Sequence, residues 1–135
     1  MKIDGSCLCG FIKYEAEINS DDVSICHCTD CQTLSGSAFR VGVPIPEADF
    51  TLLSGDPKTY VKTAESGGKR AQVFCPECGS ALYSTSVGEG PKVFRVRVTG
   101  SNQRNDFTPI SQGWFRSAHK WVTEIGALPT SQKQR

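Results

Sequence analysis

No stretch of the 135 residues approaches the roughly 20 consecutive apolar positions of a membrane-crossing helix. The opening residues, Met1-Lys2-Ile3-Asp4-Gly5-Ser6, carry no apolar leader, so the chain reads as cytoplasmic and without a membrane partner. Charge of one sign is missing too: 15 Lys and Arg stand against 14 Asp and Glu, a formal charge of +1. That balance gives no field for nucleic acid. No long segment carries a 3.6-residue period, which argues against a helical bundle. Gly88-Glu89-Gly90 reads as a hairpin turn, and no nucleotide fingerprint surrounds it.

The chain does hold seven cysteines, as Cys7-x-Cys9, Cys26-x-Cys28-x-x-Cys31 and Cys75-x-x-Cys78. A disulfide framework fits them poorly. The number is odd, and partners one or two residues apart make awkward disulfides but natural co-ligands. The two pairs supply four thiolates, enough to close a tetrahedral structural zinc. The middle cluster supplies three, which leaves a fourth position for substrate. In Cys75-Pro76-Glu77-Cys78-Gly79 and Cys7-Leu8-Cys9-Gly10, a glycine after the second cysteine permits positive φ, so that backbone N–H groups can turn toward sulfur. A redox dithiol would be expected beside a βαβ pattern, which the chain lacks.

Strand signals dominate the rest. Ile12, Tyr14, Ala16 and Ile18 alternate with Lys13, Glu15 and Glu17; Phe39, Val41 and Val43 alternate with Arg40 and Gly42. Val73 leads toward Cys75, and Phe94, Val96 and Val98 alternate with Arg95 and Arg97. Turn residues punctuate these runs at 54–57, 66–68 and 88–91. Thr29 to Leu34 suits one or two helical turns ended by Gly36. The expected fold is mostly β: antiparallel hairpins curled into a small sandwich or partial barrel, organised by a four-cysteine zinc that pins the start of the chain to its middle. Residues 1–128 read as one zinc-binding β domain and 129–135 as a polar tail.

In the middle cluster, alternate residues of a strand share a face, so Cys26 and Cys28 converge, and Cys31 can reach them across a helical turn. His27 then points away. It reads as a histidine of the opposite face rather than as a ligand or base. Asp30 could sit near the cluster or merely on the helical turn. A zinc with three thiolates carries net charge −1 and is a weak Lewis acid. It suits ionising a fourth, substrate-borne thiol better than activating water. Among the basic residues Arg40, Arg95, Arg97, Arg104, Arg116 and Lys120, most read as solvated surface. Arg40 is the best carboxylate binder because its strand follows the cluster, and Ser35, Gly36 and Ser37 offer hydroxyl and backbone donors. Trp114, Phe115 and Trp121 read as core or pocket wall, and His119 as an ordinary histidine.

These residues resemble the glutathione-dependent formaldehyde-activating enzyme family of carbon–sulfur lyases, also called S-(hydroxymethyl)glutathione synthase-like. The resemblance rests on Gly5-Ser6-Cys7-Leu8-Cys9-Gly10, on Cys26-His27-Cys28-Thr29-Asp30-Cys31 with Ser35-Gly36-Ser37-Ala38-Phe39, and on Phe74-Cys75-Pro76-Glu77-Cys78-Gly79. The Trp121 region before Leu128-Pro129 adds to it, so that nearly the whole chain is covered. It implies a structural zinc on Cys7, Cys9, Cys75 and Cys78, a catalytic zinc on Cys26, Cys28 and Cys31, and glutathione as thiol partner. The expected function is a zinc-dependent lyase or synthase joining glutathione, or a related thiol, to formaldehyde or another small aldehyde. The rival is a non-catalytic zinc module that binds a protein or carries a thiol. A pure scaffold needs only the four outer cysteines. A type B methionine sulfoxide reductase would need a late catalytic cysteine, and residues 79–135 contain none.

Overall fold

Alternation along the sequence becomes ten short strands, with one α-helix and five 3₁₀ helices, in the computed structural model, which describes residues 1–134. The strands are β1 (Lys2–Ser6), β2 (Lys13–Glu17), β3 (Ser24–Cys26), β4 (Arg40–Pro46), β5 (Phe50–Ser54), β6 (Lys58–Thr63), β7 (Lys69–Phe74), β8 (Ala81–Ser86), β9 (Val93–Val96) and β10 (Ser111–Gly113). The helix α1 (Thr29–Ser35) ends at Gly36 in the left-handed conformation, φ 64°. Residues 129–134 carry neither helix nor strand. Arg135, the end of the expected tail, lies outside the described residues.

A three-stranded sheet of order β1-β2-β5 meets a seven-stranded sheet of order β10-β3-β4-β9-β8-β7-β6. The fold is mostly β and sandwich-like, as expected, and neither sheet closes into a barrel. The pairing of β10 with β3 is parallel, so the large sheet is mixed. Ile3, Ile12, Tyr14 and Ala16 of the small sheet and its turn pack with Val43, Ile45, Val73, Phe94 and Val96 of the large one in a single cluster. Phe50 stacks on Tyr14 and meets Tyr83 and Phe94 edge-on, at centroid distances of 5.2, 5.2 and 5.5 Å. Ile12, Val43, Ile45 and Val96 are fully buried, each contributing roughly 1.5–3 kcal/mol. The Phe94-Val96-Val98 run bends early, because β9 ends at Val96 and Val98 enters a 3₁₀ turn.

The other face of the large sheet is polar, and strand register shows why. Cys26 pairs with Arg40 and Ser24 with Gly42. Pro44 pairs with Arg95, Arg95 with Ser84, Ser84 with Gln72, and Gln72 with Tyr60. Paired residues of an antiparallel ladder share a face, so Cys26, Arg40, Arg95, Arg97, Ser84 and Gln72 share this one. Five strand spacings separate β3 from β6, about 24 Å across a flat sheet. Yet Lys62 Nζ on β6 lies 2.8 Å from Asp30 Oδ2 at the start of α1. The sheet therefore curls over its polar face.

Candidate metal centres

The first centre joins the two sheets. Cys7 and Cys9 follow β1, and Cys75 and Cys78 sit in the turn from β7 to β8; their four sulfurs lie within 4.8 Å of one another. Cys7 Sγ is 3.6 Å from Cys9 Sγ, which is 3.8 Å from Cys75 Sγ. Four sulfurs about 2.3 Å from a common tetrahedral centre lie about 3.8 Å apart, whereas a disulfide needs about 2.05 Å. The backbone fits thiolates as well: the N–H of Ile12 donates to Cys7 Sγ at 3.2 Å and that of Glu77 to Cys75 Sγ at 3.4 Å. Gly10 and Gly79 take φ of 84° and 78°, as the turn after each pair requires. Ser80, which the sequence reading passed over, bridges the two pairs. Its Oγ accepts from the N–H of Leu8 at 3.0 Å and lies 3.1 Å from Cys78 Sγ. That hydroxyl, followed by backbone N–H donors, holds the Cys78 thiol down to about 5.

The second centre lies at the edge of the polar face. The sulfurs of Cys26, Cys28 and Cys31 also lie within 4.8 Å of one another. Their convergence was legible, but the means differs. The strand β3 stops at Cys26, and Cys28 is the N-cap of α1, its sulfur accepting from the N–H of Cys31 at 3.3 Å. The hydrogen bond with Cys31 brings the Cys26 thiol down to about 5, against opposing desolvation. The same bond pushes Cys31 up. Both clusters could hold metal ions, and both donor sets are compatible with zinc.

Gln32 clamps the start of α1, donating from Nε2 to the carbonyls of His27 at 2.8 Å and Ser117 at 3.0 Å. His27 faces away from the sulfurs, as the alternation implies. It is fully buried, 2.8 Å from Gln112 Oε1 through Nε2, with Phe39 and Phe115 against its ring. Asp30 stays on the helical turn and pairs with Lys62. Trp114, Phe115 and Trp121 are about half exposed. Trp114 walls a recess of about 220 Å³ beside Cys28, together with Lys62, Glu65 and Arg116. His119 stacks on Trp121 at 5.5 Å.

A larger cleft, of about 680 Å³, is lined by Ser35, Ser37, Arg40, Arg97, Asn102 and Arg104 among others. It thus gathers the three residues chosen from the sequence for ligand binding. Arg40 is only 7% exposed and donates to Gln72 Oε1 at 2.8 Å. Arg97, read from sequence as surface, is mostly buried: Nη2 donates to Ser84 Oγ at 3.2 Å, and Nε is buried without a partner. Burial, then the charge of Arg40, lowers Arg97 to about 10, while Cys31 and Cys26 oppose the shift. The signal that could have found it is Gly42. A Cβ there would stand 2.7 Å from Arg95 Cγ and 3.0 Å from Arg97 Nη1.

The chain is similar to several known proteins. The model of a family described as glutathione-dependent formaldehyde-activating enzyme matches residues 2–117. An uncharacterized lyase of Schizosaccharomyces pombe is 31% identical over 86 residues, covering 59% of this chain and 55% of that protein. The chain thus spans about half the length of this curated relative. A crystal structure of a Rhodobacter sphaeroides protein superposes with a TM-score of 0.61 at 17% identity, covering 81% of this chain and 98% of that one. At that identity the likeness speaks for the fold alone. No helix among the described residues is long and apolar enough to cross a membrane.

Proposed function

The chain belongs to the glutathione-dependent formaldehyde-activating enzyme family, and on that premise we propose that it is a zinc-dependent carbon–sulfur lyase or synthase. It forms or cleaves an adduct between a small thiol, glutathione or a relative of it, and formaldehyde or another small aldehyde. One observation carries the reading: three sulfurs converge at Cys26, Cys28 and Cys31 beside a separate four-sulfur cluster. Four suffice to staple a fold, and a scaffold gives no reason for three more.

In this reading Cys7, Cys9, Cys75 and Cys78 hold a structural zinc, and Cys26, Cys28 and Cys31 a catalytic one. When bound, the second zinc supplies a positive centre that keeps an incoming thiol ionised near neutral pH. The chain's own residues orient the partners. The cap of α1 and the Gln32 clamp fix the three sulfurs. Arg40, Ser35 and Ser37 receive the body of the thiol in the larger cleft. The thiol's proton leaves to solvent, and its sulfur attacks the aldehyde carbon. A C–S bond forms as the C=O π pair moves to oxygen, and that oxygen takes a proton to become a hydroxyl; the reverse cleaves the C–S bond. Seven cysteines serving as metal ligands rather than disulfide partners suit a reducing compartment such as the cytoplasm.

Calorimetric titration of zinc-loaded protein tests the thiol centre. Glutathione should bind at least about tenfold tighter than S-methylglutathione, a gap of about 1.4 kcal/mol. Cys28→Ser should abolish that advantage. Equal binding of the two ligands by the wild type would mean that sulfur does not reach the cluster, and the enzyme reading would give way to a binding module.

A further inference from the structure

The larger cleft has an unusual charge balance. Arg40, Arg97 and Arg104 line it, and no Asp or Glu does. Each of the three meets only neutral acceptors: Arg40 the amide of Gln72, Arg97 the hydroxyl of Ser84 and the carbonyl of Arg95, and Arg104 the carbonyl of Thr99. None of the ion pairs among the described residues includes any of them; the carboxylates of Asp22 and Glu65 go to Arg95 and Arg116. Buried or half-buried guanidinium groups are ordinarily matched by an anion, because an uncompensated charge away from water is costly. Here two such groups, Arg40 and Arg97, lie close enough to repel, and Arg97 Nε has no partner at all.

The wall of the cleft includes Cys7 of the four-sulfur centre and no sulfur of the three-sulfur one, but two of its segments run directly to the latter. Arg40 is the register partner of Cys26 across β3 and β4. Leu34 and Ser35, one turn beyond Cys31 on α1, form part of the wall. A three-thiolate zinc would carry −1 and offset only one of the three positive charges. About two remain for a ligand to match, and nothing in the wall could receive a ligand's ammonium group as a salt bridge.

From this we infer that the cleft selects thiols bearing two negative charges and no positive one, with Arg97 and Arg104 setting the preference. This rests on the thiol-centre reading above and narrows it. Glutathione fits through its two carboxylates, while its ammonium group is unmatched, so a dianionic thiol without an amine is the better ligand. The carboxylates lie against the arginines while the sulfur faces Cys26, Cys28 and Cys31.

Matched ligands test the inference on zinc-loaded protein by titration. Relative to glutathione, the diethyl ester, which lacks both carboxylates, should bind at least about tenfold weaker. N-acetylglutathione, which lacks only the ammonium charge, should bind about threefold tighter or better. Arg104→Gln, at an exposed position, should fold normally and shrink the ester penalty at least about threefold. Arg97→Met should shrink it further, and if that variant does not fold, the Arg104 variant decides. Repeating the series with S-methylated ligands separates the two readings. A charge preference that survives S-methylation, with no advantage to the free thiol, upholds the cleft and removes the thiol centre. An ester that binds as well as glutathione, or N-acetylation that weakens binding, overturns the inference while leaving the thiol centre standing.

Discussion

Replacing one sulfur in each cluster should have opposite consequences. Cys75 is fully buried, and its cluster ties the loop between β1 and β2 to the turn between β7 and β8, hence one sheet to the other. A structural zinc supplies about 10–16 kcal/mol of apparent free energy, against a whole-domain stability of about 5–15 kcal/mol. Cys75→Ser need forfeit only a third of the zinc term, about 4 kcal/mol, to lower Tm by about 10–15 °C for a chain of this size. A full loss leaves no folded state. Cys31, by contrast, lies in a helix without a buried residue. Its sulfur is not needed for the cap, which runs from its N–H to Cys28 Sγ. Cys31→Ser should therefore keep one tightly held zinc and melt within about 5 °C of wild type, since substitutions away from core and caps cost about 0.5 kcal/mol. Calorimetric melting, with zinc content per chain measured on the same samples, makes the comparison. A Cys75→Ser protein as stable as wild type, or a Cys31→Ser protein that melts as low as Cys75→Ser, would refute the division into four and three.

Two further expectations concern the packing around these centres. Gly42→Ala places a Cβ against the Arg95 and Arg97 side chains; it should displace Arg97 without removing its charge and narrow the gap between glutathione and its diethyl ester by about threefold, and an unchanged gap would show that the position of Arg97 is irrelevant. Asp4 accepts from Asn102 Nδ2 at 2.7 Å and Gln103 Nε2 at 2.8 Å, and the Gln103 bond first, then Asn102, holds its carboxyl below the ordinary 3.8. A depressed folded-state value means that this joint is fully formed above the ordinary value and is lost as pH falls through the lower one. Hydrogen exchange at Asn102, whose N–H donates to Asp4 O, should accelerate over that acid window in wild type but not in Asp4→Asn; identical profiles would exclude the carboxylate.

What the sequence made legible is what short-range spacing controls. Period two around Tyr14 and Ala16 fixed β2, because one face had to be apolar. Gly10 and Gly79 marked the turns after each cysteine pair because few other residues take positive φ. The helix from Thr29 was bounded at its far end by Gly36, whereas its cap, Cys28, reads from the sequence as part of the strand. The burial of Arg97 was illegible because it depends on curvature. An Arg-x-Arg alternation on a strand normally faces water, and only the curl that brings Lys62 to Asp30 encloses that face. The edge strand β5 was missed for a related reason. Apart from Phe50 it is exposed, so it carries no alternation, and its place follows from pairing with β2. The strand β10 is three residues long, with a glycine and no apolar side chain, and is ordered by its parallel pairing with β3.

The two cysteine clusters differ less in their sulfurs than in what surrounds them. Around the first, each turn closes on itself: left-handed glycines bring backbone N–H groups to sulfur, and the Ser80 hydroxyl spans the pairs. The N–H groups of Ile12 and Glu77 are spent on its sulfurs and other turn N–H groups on local acceptors, which suits an ion meant to stay. Around the second, one sulfur ends a strand, one caps a helix and one rides its first turn, and the neighbouring guanidinium groups of Arg40 and Arg97 are spent on neutral acceptors. Excess positive charge beside a three-sulfur set that is itself anionic once loaded cannot serve the set alone. It raises the local concentration of small anions and orients them by their charged ends. In the proposed reaction the reacting atom would then be delivered at the other end, as an addition to an aldehyde requires.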